Sequence, residues 1–278
     1  MIKALLSALM LQAVVANDAA PPVTTTLSPV GKWTVDESDN QCTLSHDFGV
    51  DRAKTILSIL PGVLGESFQV VLLTSRTEGV APSGNATITL SPNQERRMAV
   101  PFRQVALNGE QTATMMKGFG GADWYFAGTS RIRIELAGHL VDLAPPSIDL
   151  ALAALRKCHN ELLRSWGITP AEQEFIGPVG GKDRAYAIGN QDDWISSRDY
   201  PSAALAARQE GSVTILWAIG TDGHVHDCRI IRSSGVPSLD AAACTTVTDR
   251  GRYRPVLDKT GKPMVLHAFR EVNWHLPS

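Results

Sequence analysis

His224, His226 and Cys228 alternate along one short stretch, so a regular strand places all three on one face. Two imidazoles and a thiolate in that arrangement suit zinc or copper. Against this, His224 adjoins a turn and Cys228 has a better use in a disulfide, so no metal site is expected. Thr221-Asp222-Gly223 resembles the loop of an aspartic protease only superficially. That chemistry needs a second carboxylate to share one proton, whereas Asp-Gly is a hairpin-turn signal. Asp142, His46 and the serines fall in no Gly-x-Ser-x-Gly pattern. Gly118, Gly120 and Gly121 surround Phe119 but lack the Lys-Ser/Thr ending of a phosphate loop, and read as a mobile loop. Trp124-Tyr125-Phe126 reads as core rather than as a ligand platform. These sets carry no recognisable catalytic signature, and the expectation is a non-enzymatic protein without a cofactor.

The elements around them set further bounds. The chain has 278 residues, 44% of them hydrophobic and 19% charged, enough to bury a sizeable core. Its net charge of −2 excludes a strongly basic nucleic-acid binder, and no nucleic-acid partner is expected. After Lys3, Ala4 to Ala16 is almost unbroken apolar sequence, ending in small residues before Asn17-Asp18. It is shorter than the ~20 residues a spanning helix needs. Residues 1–16 therefore read as a cleaved signal peptide, with no stable membrane anchor, and 17–30 as a flexible leader. Export places the four cysteines in an oxidising compartment.

From residue 31 to 166 short β-branched runs alternate with Gly, Pro, Asn and Ser. The runs Thr55–Ile59, Phe68–Thr74, Ala86–Leu90, Met98–Val105 and Arg131–Leu136 predict a mostly antiparallel β domain. Ile148, Leu152, Leu155, Cys158 and Leu162 then recur at steps of three and four, predicting an amphipathic helix that closes it. Residues 167–193, rich in Pro and Gly, read as a linker. From 194 to 278 the order is a helix at Pro201–Gln209, a strand at Ser212–Ile219, a turn at Asp222-Gly223, and a strand at Val225–Ile231. A helix at Pro237–Thr248 and a last strand at Pro263–Trp274 complete it.

In that last segment Tyr200-Pro201 opens the first helix, and Gly211 precedes the first strand. Asp222-Gly223 makes the hairpin, and Ser233-Ser234-Gly235 leads into Leu239-Asp240. Tyr253 and Pro255 come before Gly261-Lys262-Pro263. In this order and spacing the segment resembles the TonB C-terminal domain, the periplasmic energy-transducer module. The resemblance implies an α+β fold: a three-stranded antiparallel sheet with two helices on one side. It further implies a free sheet edge to which extended peptides of outer-membrane TonB-dependent receptors, or other envelope proteins, add as a strand. The residues offered are Met264, Val265, Leu266, His267, Ala268, Phe269, Arg270, Glu271, Val272, Asn273 and Trp274. Arg270 and Glu271 are candidates for orienting the incoming segment. Residue by residue, Gly235 suits a sharp strand-to-helix turn, Leu239 and Ala243 share a helical face, and Tyr253 reads as a core aromatic.

A helix packed on a sheet brings facing Cβ atoms within disulfide range, so Cys228 is expected to pair with Cys244. Cys42 and Cys158 then form the second pair, closing a loop whose chain-entropy value is ~4–5 kcal/mol. The resembled transducers couple to the inner membrane through an anchor and a long Pro-rich spacer. Neither pattern occurs here, so the expectation is a periplasmic protein that binds without transmitting force alone, with energy-coupled transport left open. Two alternatives remain at this level. One is a secreted hydrolase or small-molecule-binding first domain localised by the C-terminal module; the other is a homodimer paired through the sheet edge.

Overall fold

Cys42, Leu44, His46 and Phe48 are buried, while the residues between them are half exposed. That period of two is the signature of a strand with one face inward, and it recurs in strand after strand. The computed structural model describes residues 23–276 apart from 52–53, 76–80, 93–95, 108–109, 137 and 173–186. The expected signal peptide, residues 17–22 of the expected leader and the middle of the expected linker lie outside the described residues; residues 23–30, expected as flexible leader, instead belong to two strands joined at Ser28.

The first part consists of β1 (Val23–Leu27), β2 (Pro29–Ser38), β3 (Gln41–Phe48), β4 (Thr55–Pro61) and β5 (Ser67–Ser75). Next come β6 (Ser83–Pro92), β7 (Arg96–Leu107), β8 (Gln111–Phe119), a short helix α1 (Ala122–Phe126), β9 (Thr129–Leu136) and β10 (His139–Leu143). They form one ten-stranded sheet in the order β1-β10-β9-β6-β7-β8-β5-β4-β3-β2. Neighbours are antiparallel except β1 and β10, which run parallel. The edge strands β1 and β2 are separated in sequence by Ser28 alone. Two residues of chain span at most ~7 Å, so the sheet must roll until its edges meet at that end. Ser28 ties the meeting point, its carbonyl accepting the Gly49 N–H at 2.8 Å. Inside the roll Phe48, Leu57, Ile59, Phe68, Ile88 and Ile134 are fully buried.

Helix α2 (Ile148–Ser165) buries Leu152, Leu155, Cys158, Leu162 and Leu163. It lies against β2 and β3, where Cys158 is disulfide-bonded to Cys42. The Trp33 indole N–H donates to the Pro146 carbonyl at 2.6 Å, fixing the entry to the helix.

The second part contains α3 (Ser202–Ala206), β11 (Gly211–Ile219), β12 (Val225–Arg232), α4 (Pro237–Arg250), β13 (Val256–Leu257), β14 (Pro263–Met264) and β15 (Leu266–Trp274). Its main sheet is antiparallel in the order β12-β11-β15. One face of β11 presents Val213, Ile215, Trp217 and Ile219 to Leu239, Ala243 and Val247 of α4. The other face is also covered. Leu216 is only 1% exposed and belongs, with Ile231 and part of Phe269, to the same apolar cluster as α2 and the rolled sheet. The second sheet is thus sandwiched between α4 and the first part of the chain.

Several expectations need correction. The glycines at 118–121 do not form a loop throughout: Gly118 is in β8, where a Cβ would come within 2.2 Å of the Phe68 ring. The helix expected over Pro201–Gln209 is shorter, ending where Arg208 takes a positive φ of 50°. Phe126 is core and Tyr125 packs beside Phe68, while the side chain of Trp124 lies outside the described residues.

Candidate functional site

β15 pairs with β11 along its whole length, from Gly211 opposite Trp274 to Ile219 opposite Leu266, without a register shift. Among the described residues no strand pairs with its other side. Alternate residues of an antiparallel strand turn their backbone groups the same way, so one outward N–H identifies the rest. The His267 N–H donates away from the sheet, to a carboxylate oxygen of Glu172. Phe269, Glu271 and Asn273 therefore turn their N–H and C=O groups outward too. Their side chains lie on the face toward the rolled sheet, since Leu216 is opposite Phe269 and Thr214 opposite Glu271.

The start of this edge is already occupied. Glu172 is 2% exposed and His267 9%, and the His267 Nδ1 lies 3.0 Å from each carboxylate oxygen. The Glu172 N–H is in turn fixed by Thr169 Oγ1 at 3.2 Å. Further along, a cavity of about 360 Å³ runs beside β15 from Arg270 to His275, bounded on its far side by Ile195, Ser196, Ser197 and Tyr200. Arg270 is not free to meet a partner: its guanidinium donates to the Gln191 carbonyl at 2.7 Å and to Asp192 at 3.0 Å. Glu271 is exposed and makes no ion pair among the described residues. The single last strand expected from Pro263 is broken at Val265. Met264 pairs with Val256 in the small β13–β14 ladder, so Met264 and Val265 are not on this edge.

The wall of the cavity is held from α4. Asp199 makes a two-pronged ion pair with Arg250, at 2.6 and 2.8 Å, and Arg250 also donates to the Trp194 carbonyl at 3.1 Å. The Arg250 guanidinium, with help from the Ser196 N–H and hydroxyl, holds the Asp199 carboxyl below the usual carboxylate range. Tyr200 stacks edge-on against Trp274 at 5.3 Å and donates its hydroxyl to the Gln209 carbonyl.

The sequence motifs mostly build this scaffold. Asp240 accepts from Ser233 Oγ at 2.5 Å, Ser234 Oγ at 2.6 Å and the Ser234 N–H at 2.9 Å, tying the end of β12 to the first turn of α4. Burial opposes the charged form of Asp240, but the hydrogen bonds from Ser233 and Ser234 outweigh it and leave the carboxyl below its ordinary range. Gly235 has φ 82°, as the turn demands. At Gly223, φ is 79° and a Cβ would fall 2.1 Å from the Tyr253 carbonyl oxygen, so only glycine fits. Tyr253 is buried against Trp194 at 5.2 Å, and burial pushes its hydroxyl up to about 12. Gly211 lies against Ser234, Leu239 is fully buried, and Pro201 caps α3. Pro255 lies near Gly223.

The remaining candidates are scattered. Cys228 bonds to Cys244, and a positive φ of 50° at Asp227 breaks the alternation that would have aligned His224, His226 and Cys228. Among the described residues no group of three His, Cys, Asp or Glu could hold a metal ion. His46 is buried in the roll between Trp33 and Phe48, while Asp142 is ion-paired to Arg131 at 2.6 Å. Two larger cavities, of about 650 and 470 Å³, lie where the two parts of the chain meet, and both are lined from both parts.

Residues 196–276 match the family model of the Gram-negative bacterial TonB protein C-terminal. No curated protein matches the chain. The matched segment covers α3 through β15, so the whole of the free edge lies inside it. Glu172, which meets that edge at His267, lies outside it. Sequence reasoning missed Glu172 because a single acidic residue after Pro170 carries no periodic signal. It missed the second covered face as well, although Val213-Thr214-Ile215-Leu216-Trp217-Ala218-Ile219 is a nearly continuous apolar run of the kind that marks a strand buried on both sides. No described helix is long and apolar enough to cross a membrane.

Proposed function

We propose that this is a TonB-like envelope protein of the periplasm whose C-terminal domain binds extended peptides by strand addition at β15. The peptides come from outer-membrane TonB-dependent receptors or other envelope proteins. The observation that supports the reading best is the one-sided pairing of β15: among the described residues its outer side has no strand. The outward groups of Phe269, Glu271 and Asn273 are three successive rungs for a partner backbone. The cavity beside β15, which Tyr200 and Trp274 both line, suits a side chain of the added strand. The unit 194–278 is read as the binding domain, 31–166 as a β-rich domain, and 167–193 as their connection. Residues 1–16 are read as the export signal.

Strand addition needs no catalytic group, and the reading is of a non-enzymatic interaction module. The test is backbone NMR on the full mature chain with synthetic peptides copied from the N-terminal segments of the host's outer-membrane receptors. Shifts concentrated at Phe269, Glu271 and Asn273 support the proposal. Unmoved amides at millimolar peptide, with no receptor retained from outer-membrane extract, refute it. Self-association by light scattering that removes those shifts would instead place a second copy of the chain on the edge.

A further inference from the structure

The cavity of about 470 Å³ at the junction falls inside the ~300–1,000 Å³ range of small-molecule sites. Neither part of the chain builds it alone. The turn before β3 supplies Asn40 and the start of β3 Gln41, while Leu60 and Pro61 come from the end of β4 and Gly62 and Val63 from the loop after it. Helix α2 adds Leu162, Trp166 follows at its C-terminal end, and the second sheet closes it with Thr214, Ile231 and Arg232. Leu60, Val63, Leu162, Trp166 and Ile231 form the apolar part of its floor, with polar side chains beside them, the buried His159 included. No aspartate or glutamate lines it.

At its mouth stands Arg232, which is exposed. Arg131, Arg250 and Arg270 each have a carboxylate partner; Arg232 has none among the described residues. A lone guanidinium above a carboxylate-free apolar floor is matched by a ligand with the opposite arrangement. A carboxylate takes the two-pronged fork of one arginine, which a doubly charged phosphate monoester would only half neutralise.

We propose that this junction cavity binds an amphipathic carboxylate, with an aliphatic body on the Leu60–Leu162–Ile231 floor and its head on Arg232. The ligand touches both parts of the chain. Thr214 in its wall faces Glu271 across the β11–β15 ladder, so the site lies one rung from the free edge.

The test is titration of the isotope-labelled full chain with octanoate, followed by backbone NMR. Saturable shifts at Gly62, Val63 and Arg232 are expected. Octyltrimethylammonium, with the same chain and the opposite charge, should leave those amides unsaturated. Arg232→Gln should weaken octanoate binding about tenfold or more, whereas Arg254→Gln, another exposed arginine of the second part, should leave it unchanged. Both are surface substitutions, so an unaltered spectrum in the absence of ligand will show that the fold is intact. The proposal is overturned by any of three results: no saturable shift at millimolar octanoate, equal binding of the cationic analogue, or an R232Q affinity equal to that of the unsubstituted chain.

Discussion

The Glu172 carboxylate holds His267 in two places, through the backbone N–H and through the imidazole Nδ1 at 3.0 Å. A residue outside the matched family segment thus takes the first outward donor of β15, and a strand arriving at this edge meets free backbone only from Phe269 onward. Glu172→Ala leaves that donor and the imidazole without their buried acceptor, a loss of ~1–3 kcal/mol. The expected result is a thermal midpoint lower by several degrees. Amide exchange should quicken first at His267, with Ile215 and Trp217 on the paired side of β11 keeping their protection. Uniform acceleration through the sheet would show that Glu172 supports the fold as a whole rather than the edge.

Acid should loosen the chain through three aspartates. Hydrogen bonding and charge from Arg131 hold Asp142 low, Arg250 does the same for Asp199, and the Ser233 and Ser234 bonds overcome burial at Asp240. Each folded-state pKa lies below the ~3.9 of an unfolded aspartate. Their stabilisation is therefore complete above that value and is lost as the pH falls through the lower folded-state values. Urea midpoints should be flat with respect to these groups from neutral pH to about 5 and should drop below about 4. Asp199→Asn should make the acid slope shallower, because one of the proton-linked groups is gone.

How far the sequence predicted this arrangement depends on the range of each interaction. The β-branched run Thr55–Ile59 and the three-and-four spacing of Leu152, Leu155 and Leu162 are local, and a strand and a helix stand where those patterns put them. Asp222-Gly223 and Ser233-Ser234-Gly235 are equally local: a positive φ or a neighbouring backbone requires the glycine. The rolling of the ten strands rests on the pairing of β1 with β10, more than a hundred residues away, and no short window contains it. The Glu172–His267 contact spans 95 residues and joins two groups that are ordinary in their own surroundings. The break at Val265 was hidden for another reason: Pro263-Met264 and Leu266 onward are both extended, and only their different partners separate them.

The two disulfides should differ in weight. Cys42–Cys158 closes a loop of 116 residues and Cys228–Cys244 one of 16. Loop entropy assigns ~5 kcal/mol to the first and ~3 kcal/mol to the second. Replacing both members of the first pair by alanine should lower the urea midpoint more than the same change in the second. An equal or reversed order would mean that α2 is held to β3 mainly by its apolar face.

Leu216 offers the sharpest test of how the two sheets are joined. It points away from α4 and is 1% exposed within the cluster formed by α2 and the rolled sheet. If that cluster is a true shared core, Leu216→Ala removes buried contacts and leaves a cavity at a cost of ~2–5 kcal/mol. Unfolding should then shift as one transition, whether followed by the tryptophans of the second part or by far-ultraviolet dichroism dominated by the ten strands. If the surfaces merely touch, the same substitution should cost under ~1 kcal/mol, and the two probes should separate. Leu239→Ala, in α4 where it packs on the opposite face of the sheet, provides the comparison: it destabilises the second sheet in either case. Only the response to Leu216→Ala therefore reports on the junction that walls the carboxylate cavity and lies behind the free edge of β15.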